Sequence, residues 1–302
     1  MLNVNQTLID TYRILSIDKS SSDYMIYSAE NIKTNSKCSV RQIYSKNIER
    51  YQQIFDILKT ITNDNFQKSL DFFTLNDCIY IIQESIDGKY IDEIINNDKT
   101  DTLNIGSILK WTLELTLCIE YLYKLNVHHN LDFQNLIIKN NRLILSNLDI
   151  NLDDISQLQA DLNFIGKFLE LLYNKLENKN MTLIDNIIDG CKSNSYTDYN
   201  ALIQDINVAI TQQKKINSTS FIVKLCMIVL FLTLAVVMSN LALKINSIFL
   251  IISIIFVFIG ILLLTSLDTN LLFYNHKKAS KKNKYQFEVI KNITIVNTND
   301  VI

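Results

Sequence analysis

The chain of 302 residues has no proline, 5 glycines and 5 cysteines, and a formal net charge of only -2. Cys38, Cys78, Cys118, Cys191 and Cys226 lie far apart with no CxxC pair. That spacing excludes a zinc motif and a disulfide framework, and leaves buried, reduced thiols as the reading. A balance this close to neutral offers nothing to the phosphates of a nucleic acid. The opening MLNVNQTLID lacks the basic residues and apolar run of a signal peptide, so the first domain is expected to stay in the cytoplasm. Asparagine, isoleucine and lysine are abundant instead, which reads as a nucleotide-biased genome rather than disorder.

Long uncharged runs are present, near the end of the chain. Leu225–Leu243 covers 19 residues and Ile245–Leu267 covers 23 without a charge, each enough to cross roughly 30 Å of hydrocarbon. The pattern predicts a two-helix transmembrane hairpin over 221–267, entered through a polar juxtamembrane linker at 213–220. A buried helix pair in a soluble protein is the alternative. Lys214 and Lys215 precede the hairpin, and Lys277, Lys278, Lys281, Lys282 and Lys284 follow it. The positive-inside rule then puts both termini in the cytoplasm of an integral, two-span protein. The basic tail, 268–302, either attracts anionic lipid headgroups or acts only as an orientation signal. Its final residues alternate apolar and polar like one or two strands that could pair with a partner or with the first domain.

Ahead of the membrane region the periodicities switch between two and 3.6. Between Tyr12 and Tyr44 three strands are expected (YRIL, YMIYSAE and CSVRQIY), then an amphipathic helix over Ile48–Ile61 with Ile54, Phe55 and Leu58 on one face. Phe66–Ile95 reads as two more strands, a connecting segment and a short helix. Ile105–Lys124 is a strong helix, and Trp111 on it is expected in the core.

The stretch after that helix carries the chemistry. Val127–Ile150 reads VHHNLDFQNLIIKNNRLILSNLDI. It resembles the catalytic segment of the eukaryotic-type Ser/Thr protein kinase family, where HRDLKxxN is followed by two short strands and DFG. On that alignment His128 takes the place of the structural His, Asn130 of the catalytic Asp, Asn135 of the metal-binding Asn and Asn147 of the magnesium-holding Asp. The family's proline in this loop is replaced by Phe133. His129 takes the Arg position and reads as a surface or loop histidine, because the chain has only 3 histidines and no Ser or Cys partner stands near.

The resemblance implies further positions from Tyr12 to Ile210. Arg41 falls on the phosphate-anchoring Lys, Ile54 on the helix Glu that pairs with it, and Glu84 on the hinge Glu, followed by the Asp87-Gly88 turn. The glycine-rich loop is replaced by Asp18-Lys19-Ser20-Ser21-Ser22-Asp23, with no glycine and two carboxylates. Asp161-Leu162-Asn163-Phe164-Ile165-Gly166 resembles the start of the family's central helix, which makes Asp161 a buried structural carboxylate. Only Ile150–Ala160 lies before it, too short for the segment that docks a peptide substrate. The implied fold class is α+β: a two-lobed protein-kinase-like fold, with lobes at 1–85 and 86–212, followed by the transmembrane hairpin.

An amide at Asn130 cannot take a proton, and an amide at Asn147 is a weaker ligand for a hard cation. Losing a general base costs about 10²- to 10⁴-fold in rate. The expected function is a membrane-anchored pseudokinase, a scaffold or sensor working through contacts with membrane proteins or cytoplasmic signalling partners. The alternative is an atypical, weakly active Ser/Thr kinase binding ATP and Mg²⁺, with Asp132 and Asp149 as displaced carboxylates. A nucleotide sensor without catalysis is a third reading.

Overall fold

The computed structural model describes residues 1–96, 103–151, 158–176, 181–244, 252 and 254–259. The chain divides into two compact units, Met1–Gln213 and Lys214–Ile302.

The first unit opens with β1 (Thr7–Leu8), β2 (Tyr12–Ser20), β3 (Tyr24–Asn31), β4 (Ser36–Ile43), β5 (Ser69–Leu75) and β6 (Cys78–Glu84). They form one antiparallel sheet in the order β1-β2-β3-β4-β6-β5. The sheet curls: Tyr12 Oη on β2 donates to Asp71 Oδ2 on the far strand β5 at 3.0 Å. Bulges in β2 between Ile14 and Ser16 and between Ile17 and Lys19 help it bend. Inside the curl lie Leu8, Ile14, Tyr27, Val40 and Ile82, closed by Leu2 from the N-terminal segment. A buried polar chain runs through this core. Leu2 N–H donates to Tyr27 Oη (3.1 Å), Tyr27 Oη to Gln42 Oε1 (2.9 Å) and Gln42 Nε2 to Tyr80 Oη (3.0 Å). Along this chain the buried Tyr27 and Gln42 side chains satisfy one another, as burial favours.

Strand alternation sends the intervening residues to the other face, which packs on α1 (Ile48–Thr60) through Ile43, Phe55, Ile79 and Ile81. Asn47 starts α1 by accepting from Arg50 N–H at 3.1 Å, and Glu49 and Lys59 complement its dipole at the two ends.

The rest of the unit comprises β7 (Lys89–Tyr90), α2 (Ile91–Asn96), α3 (Ile105–Lys124), β8 (His128–Asn130), a 3₁₀ turn (Phe133–Asn135), β9 (Leu136–Lys139), β10 (Arg142–Leu145) and β11 (Asp149–Asn151). Three helices follow: α4 (Leu158–Tyr173), α5 (Thr182–Lys192) and α6 (Tyr199–Lys244). α3 is the central pillar. Asn104 caps it by accepting from Ser107 N–H at 2.9 Å, and Ile108, Leu109, Leu115, Ile119 and Leu122 on its inner face are fully buried. Thr112 and Thr116 sit in the same core and donate to carbonyls one turn back, at 2.8 Å each. Trp111 is buried as well, and its Nε1 donates to Asn141 Oδ1 at 3.0 Å.

Asparagine makes the turns that glycine makes elsewhere. Asn5, Asn35, Asn76, Asn126, Asn140, Asn141, Asn147 and Asn194 have positive φ, and no described glycine does. Asn is the side chain best suited to that region after Gly. The described glycines serve close approach instead. A Cβ on Gly88 would stand 2.5 Å from Ile137 Cγ2, and one on Gly166 would stand 2.7 Å from Cys191 Cβ, where α4 crosses α5.

Residues 213–220, expected as a linker, are helical and belong to α6. Tyr199–Asn240 is long and apolar enough to cross a membrane, with a window of mean hydropathy 2.8 of which 11% is buried. In the second unit, Ile228 and Ala235 on α6 are buried, and the Phe231 and Phe256 rings lie 6.0 Å apart. Most of the expected second run, 245–267, and all of the tail 268–302 lie outside the described residues.

The α4–α5 contact gives a direct test of the packing. Gly166→Ala is expected to destabilise the first unit by about 1–3 kcal/mol through overpacking, read as a lower urea midpoint. An unchanged midpoint would show that Cys191 yields without cost.

Candidate functional site

The curled sheet and the loops of β8–β11 meet where Gln67 N–H donates to the Leu145 carbonyl at 2.9 Å. The α1 side of the sheet forms the ceiling, and the loops the floor, of the cleft that the resemblance implies between them. Ceiling residues come from the α1 side of the curled sheet. Register places Lys19 beside Ile26, Ile26 beside Arg41 and Arg41 beside Ile81, while Tyr24 stands beside Ile43. Arg41 is 9% exposed, and its guanidinium lies 4.7 Å from the Tyr24 ring centroid. Lys19 Nζ lies 5.7 Å from the same ring. Cation–π contacts of this kind contribute about 0.5–2 kcal/mol, more as they are desolvated. The turn that carries Tyr24 is tied down. Ser21 N–H donates to the Tyr24 carbonyl at 2.9 Å, Tyr24 N–H donates to Ser21 Oγ at 3.2 Å, and Tyr44 N–H donates to the Asp23 carbonyl at 3.0 Å. Ile54, in the place of the helix Glu, is buried in the main core, and the nearby Asp56 is exposed and accepts from Gln52 at 3.1 Å.

The floor is built by β8, the 3₁₀ turn and β9–β11. Asn130 is exposed, and its backbone pairs with that of Asp149. Asp132 caps the 3₁₀ turn, its Oδ1 accepting from Gln134 N–H at 3.0 Å. The Asn135 carbonyl accepts from Ser146 N–H and Ser146 Oγ at 2.7 and 2.9 Å. Phe133 turns away from the cleft and stacks on Phe164 at 4.7 Å between centroids. Asn147 is 5% exposed at φ 47, and among the described residues its Oδ1 has no hydrogen-bond partner. Glu84, at the end of β6, accepts from Lys68 N–H at 3.3 Å.

Gln67 joins these parts and carries no sequence motif that would have marked it. Its Oε1 accepts from Asn147 N–H at 2.9 Å and its Nε2 donates to the Glu84 carbonyl at 2.8 Å. The segment between the lobes is thereby clipped to the floor. The Asp92 carboxyl is pushed up first by burial and then by Asp132, while Lys19 opposes the shift.

The brace under the floor corrects one expectation. His129, read as a surface or loop histidine, is the inward one at 3% exposed, and His128 is half-buried. Neighbouring residues of a strand face opposite sides, and in β8 the inward side looks onto α4. His129 Nε2 lies 3.4 Å from Asp161 Oδ1, and Tyr199 Oη donates to Asp161 Oδ2 at 2.7 Å. Asp161 is itself 3% exposed, so the brace is dry. The sequence had no means of finding Tyr199, which lies 38 residues from its partner.

Among the described residues no group of three or more His, Cys, Asp or Glu is arranged to hold a metal ion. Asn130 and Asn147, which the sequence resemblance aligns with a base and a metal carboxylate, are amides. Among the described side chains, Asn147 offers a cation only a neutral amide, and the Tyr24 ring stands against Arg41.

No protein-family model matches the chain, and no curated protein matches it in sequence. Many solved structures match its fold. One is the crystal structure of the PF14_0431 kinase domain, at a TM-score of 0.50 and 16% identity over 61% of this chain and 70% of that one. The first unit has a protein-kinase-like fold, with the curled sheet as the first lobe.

Burial, and then the Asp161 carboxylate, raises the Tyr199 phenol above its ordinary value. The folded state holds this proton more tightly than the unfolded state. Its stabilising effect is therefore complete below about pH 10 and is lost as pH rises toward the folded value. Tyr199→Phe is expected to cost about 1–3 kcal/mol near pH 7 by leaving a buried carboxylate oxygen short of a donor. It should also lose stability less steeply than the parent above about pH 10. Parallel stability curves for parent and variant would exclude the coupling.

Proposed function

We propose that the chain is a membrane-anchored pseudokinase, a kinase-like domain that works through protein contacts on the cytoplasmic side of a membrane. One observation carries the reading: the frame around the former reaction centre is intact while its two carboxylate positions hold Asn130 and the buried Asn147. A kinase-like fold does not by itself confer transfer, and here the groups that would supply the base and the metal clamp are neutral. The displaced-carboxylate alternative gains little support from Asp132, whose Oδ1 is engaged in capping the 3₁₀ turn.

The anchor reading is supported by the apolar length of α6 and by the small buried share of its most apolar window. The Phe231–Phe256 contact supports a second helical piece folding back on the first, as a two-span hairpin requires. On that reading both termini lie in the cytoplasm, and partners are membrane proteins or cytoplasmic signalling proteins.

The full chain, purified in detergent and supplied with labelled ATP and either Mg²⁺ or Mn²⁺, should transfer no phosphate to itself or to generic protein substrates. Transfer that disappears in Asp149→Ala would overturn the pseudokinase assignment. Expressed in cells, the chain should remain in the membrane pellet after alkaline carbonate extraction, whereas release into the supernatant would overturn the anchor.

A further inference from the structure

We infer that Tyr24 is the group that keeps nucleotide out of the cleft, by filling the phosphate end of the ceiling against Arg41. The inference deepens the pseudokinase reading by naming how the cleft is closed, and it rests on that reading.

The argument begins with register. The kinase loop G-x-G-x-x-G-x-V covers the phosphates of ATP with glycines so that backbone N–H groups can approach closely. In this chain Ile26 pairs with Arg41 across β3 and β4. Setting Ile26 in the valine place puts the three glycine places on Lys19, Ser21 and Tyr24. Two of the three therefore carry long side chains, and both reach toward one point: the Tyr24 ring is 4.7 Å from the Arg41 guanidinium and 5.7 Å from Lys19 Nζ. The cation that would receive a phosphate is covered by an aromatic face.

The ring is also held where it is. Ser21 closes the turn through both its backbone and its hydroxyl, and Tyr24 packs on the cluster of Ile43, Phe55, Ile79 and Ile81. Rotating the ring away would separate it from Arg41 and uncover that apolar cluster at once. A triphosphate entering here must displace an aromatic ring that the fold already holds, and Asn147 below gives it no metal-binding carboxylate in return.

The test is ATP binding by the full chain in detergent, followed by calorimetry and by thermal unfolding. The unaltered chain should show no binding at about 5 mM ATP, whereas Tyr24→Ala should bind with a Kd at least tenfold lower, about 1.4 kcal/mol in binding free energy. Tyr24→Phe keeps the ring over Arg41 and should behave as the unaltered chain. Binding by the unaltered chain equal to that of Tyr24→Ala would overturn the inference, as would a folded Tyr24→Ala that binds no ATP. If Tyr24→Ala does not fold, the Arg41 Nε–H resonance of the unaltered chain decides. A ring-shifted signal that ATP leaves in place supports the closure, and one at its ordinary position or moved by ATP overturns it. ATP binding by the unaltered chain without phosphate transfer would remove the closure and leave the pseudokinase reading standing. Transfer itself would remove the reading.

Discussion

The buried Asp161 carboxylate is the constraint on which the lower half of the domain depends. An ionised carboxylate taken from water into a core costs several kcal/mol unless hydrogen bonds and a counter-charge replace its solvent. Here the Tyr199 hydroxyl supplies one bond to Oδ2 and His129 approaches Oδ1. These partners come from α6 and from β8, the strand that leads into the 3₁₀ turn. One carboxylate therefore fixes the loop from below and joins it to the first turn of the helix that later becomes apolar enough to span a membrane. The brace is made within the fold and has no need of a substrate to hold it.

The changes in the cleft are physically linked to one another. A carboxylate at position 147, almost fully buried, would be an uncompensated charge in the absence of a bound cation. An amide there leaves one unpaired oxygen, a smaller penalty. The Tyr24 ring offers its face to the Arg41 guanidinium. On the pseudokinase proposal, the amides at Asn130 and Asn147 and the ring over Arg41 are consistent with one another.

Glycine scarcity, visible in the composition, acquires its meaning only in the fold. Asparagine takes the left-handed turns, so the few described glycines mark contacts. Gly88 lets the chain approach β9, and Gly166 lets α4 meet α5. The abundance of asparagine therefore has a structural use that a compositional bias alone would not supply.

Sequence by itself determined most of the strands and helices ahead of α6 and their order, because strand alternation, helical periodicity and motif spacing are properties of neighbouring residues; the helical course of 213–220 it missed. Tyr24–Asn31, Ile48–Thr60 and Ile105–Lys124 lie within a residue of the segments read from the pattern, and the run of degraded motifs pointed to a kinase-like frame. Tertiary structure alone decided which of two adjacent histidines faces inward, since that depends on where α4 presents Asp161. It decided that Gln67 ties the inter-lobe segment to Asn147, 80 residues away, and that Tyr24 covers Arg41. A side chain's partner across a core is set by packing between distant segments, and no local pattern in the chain records it.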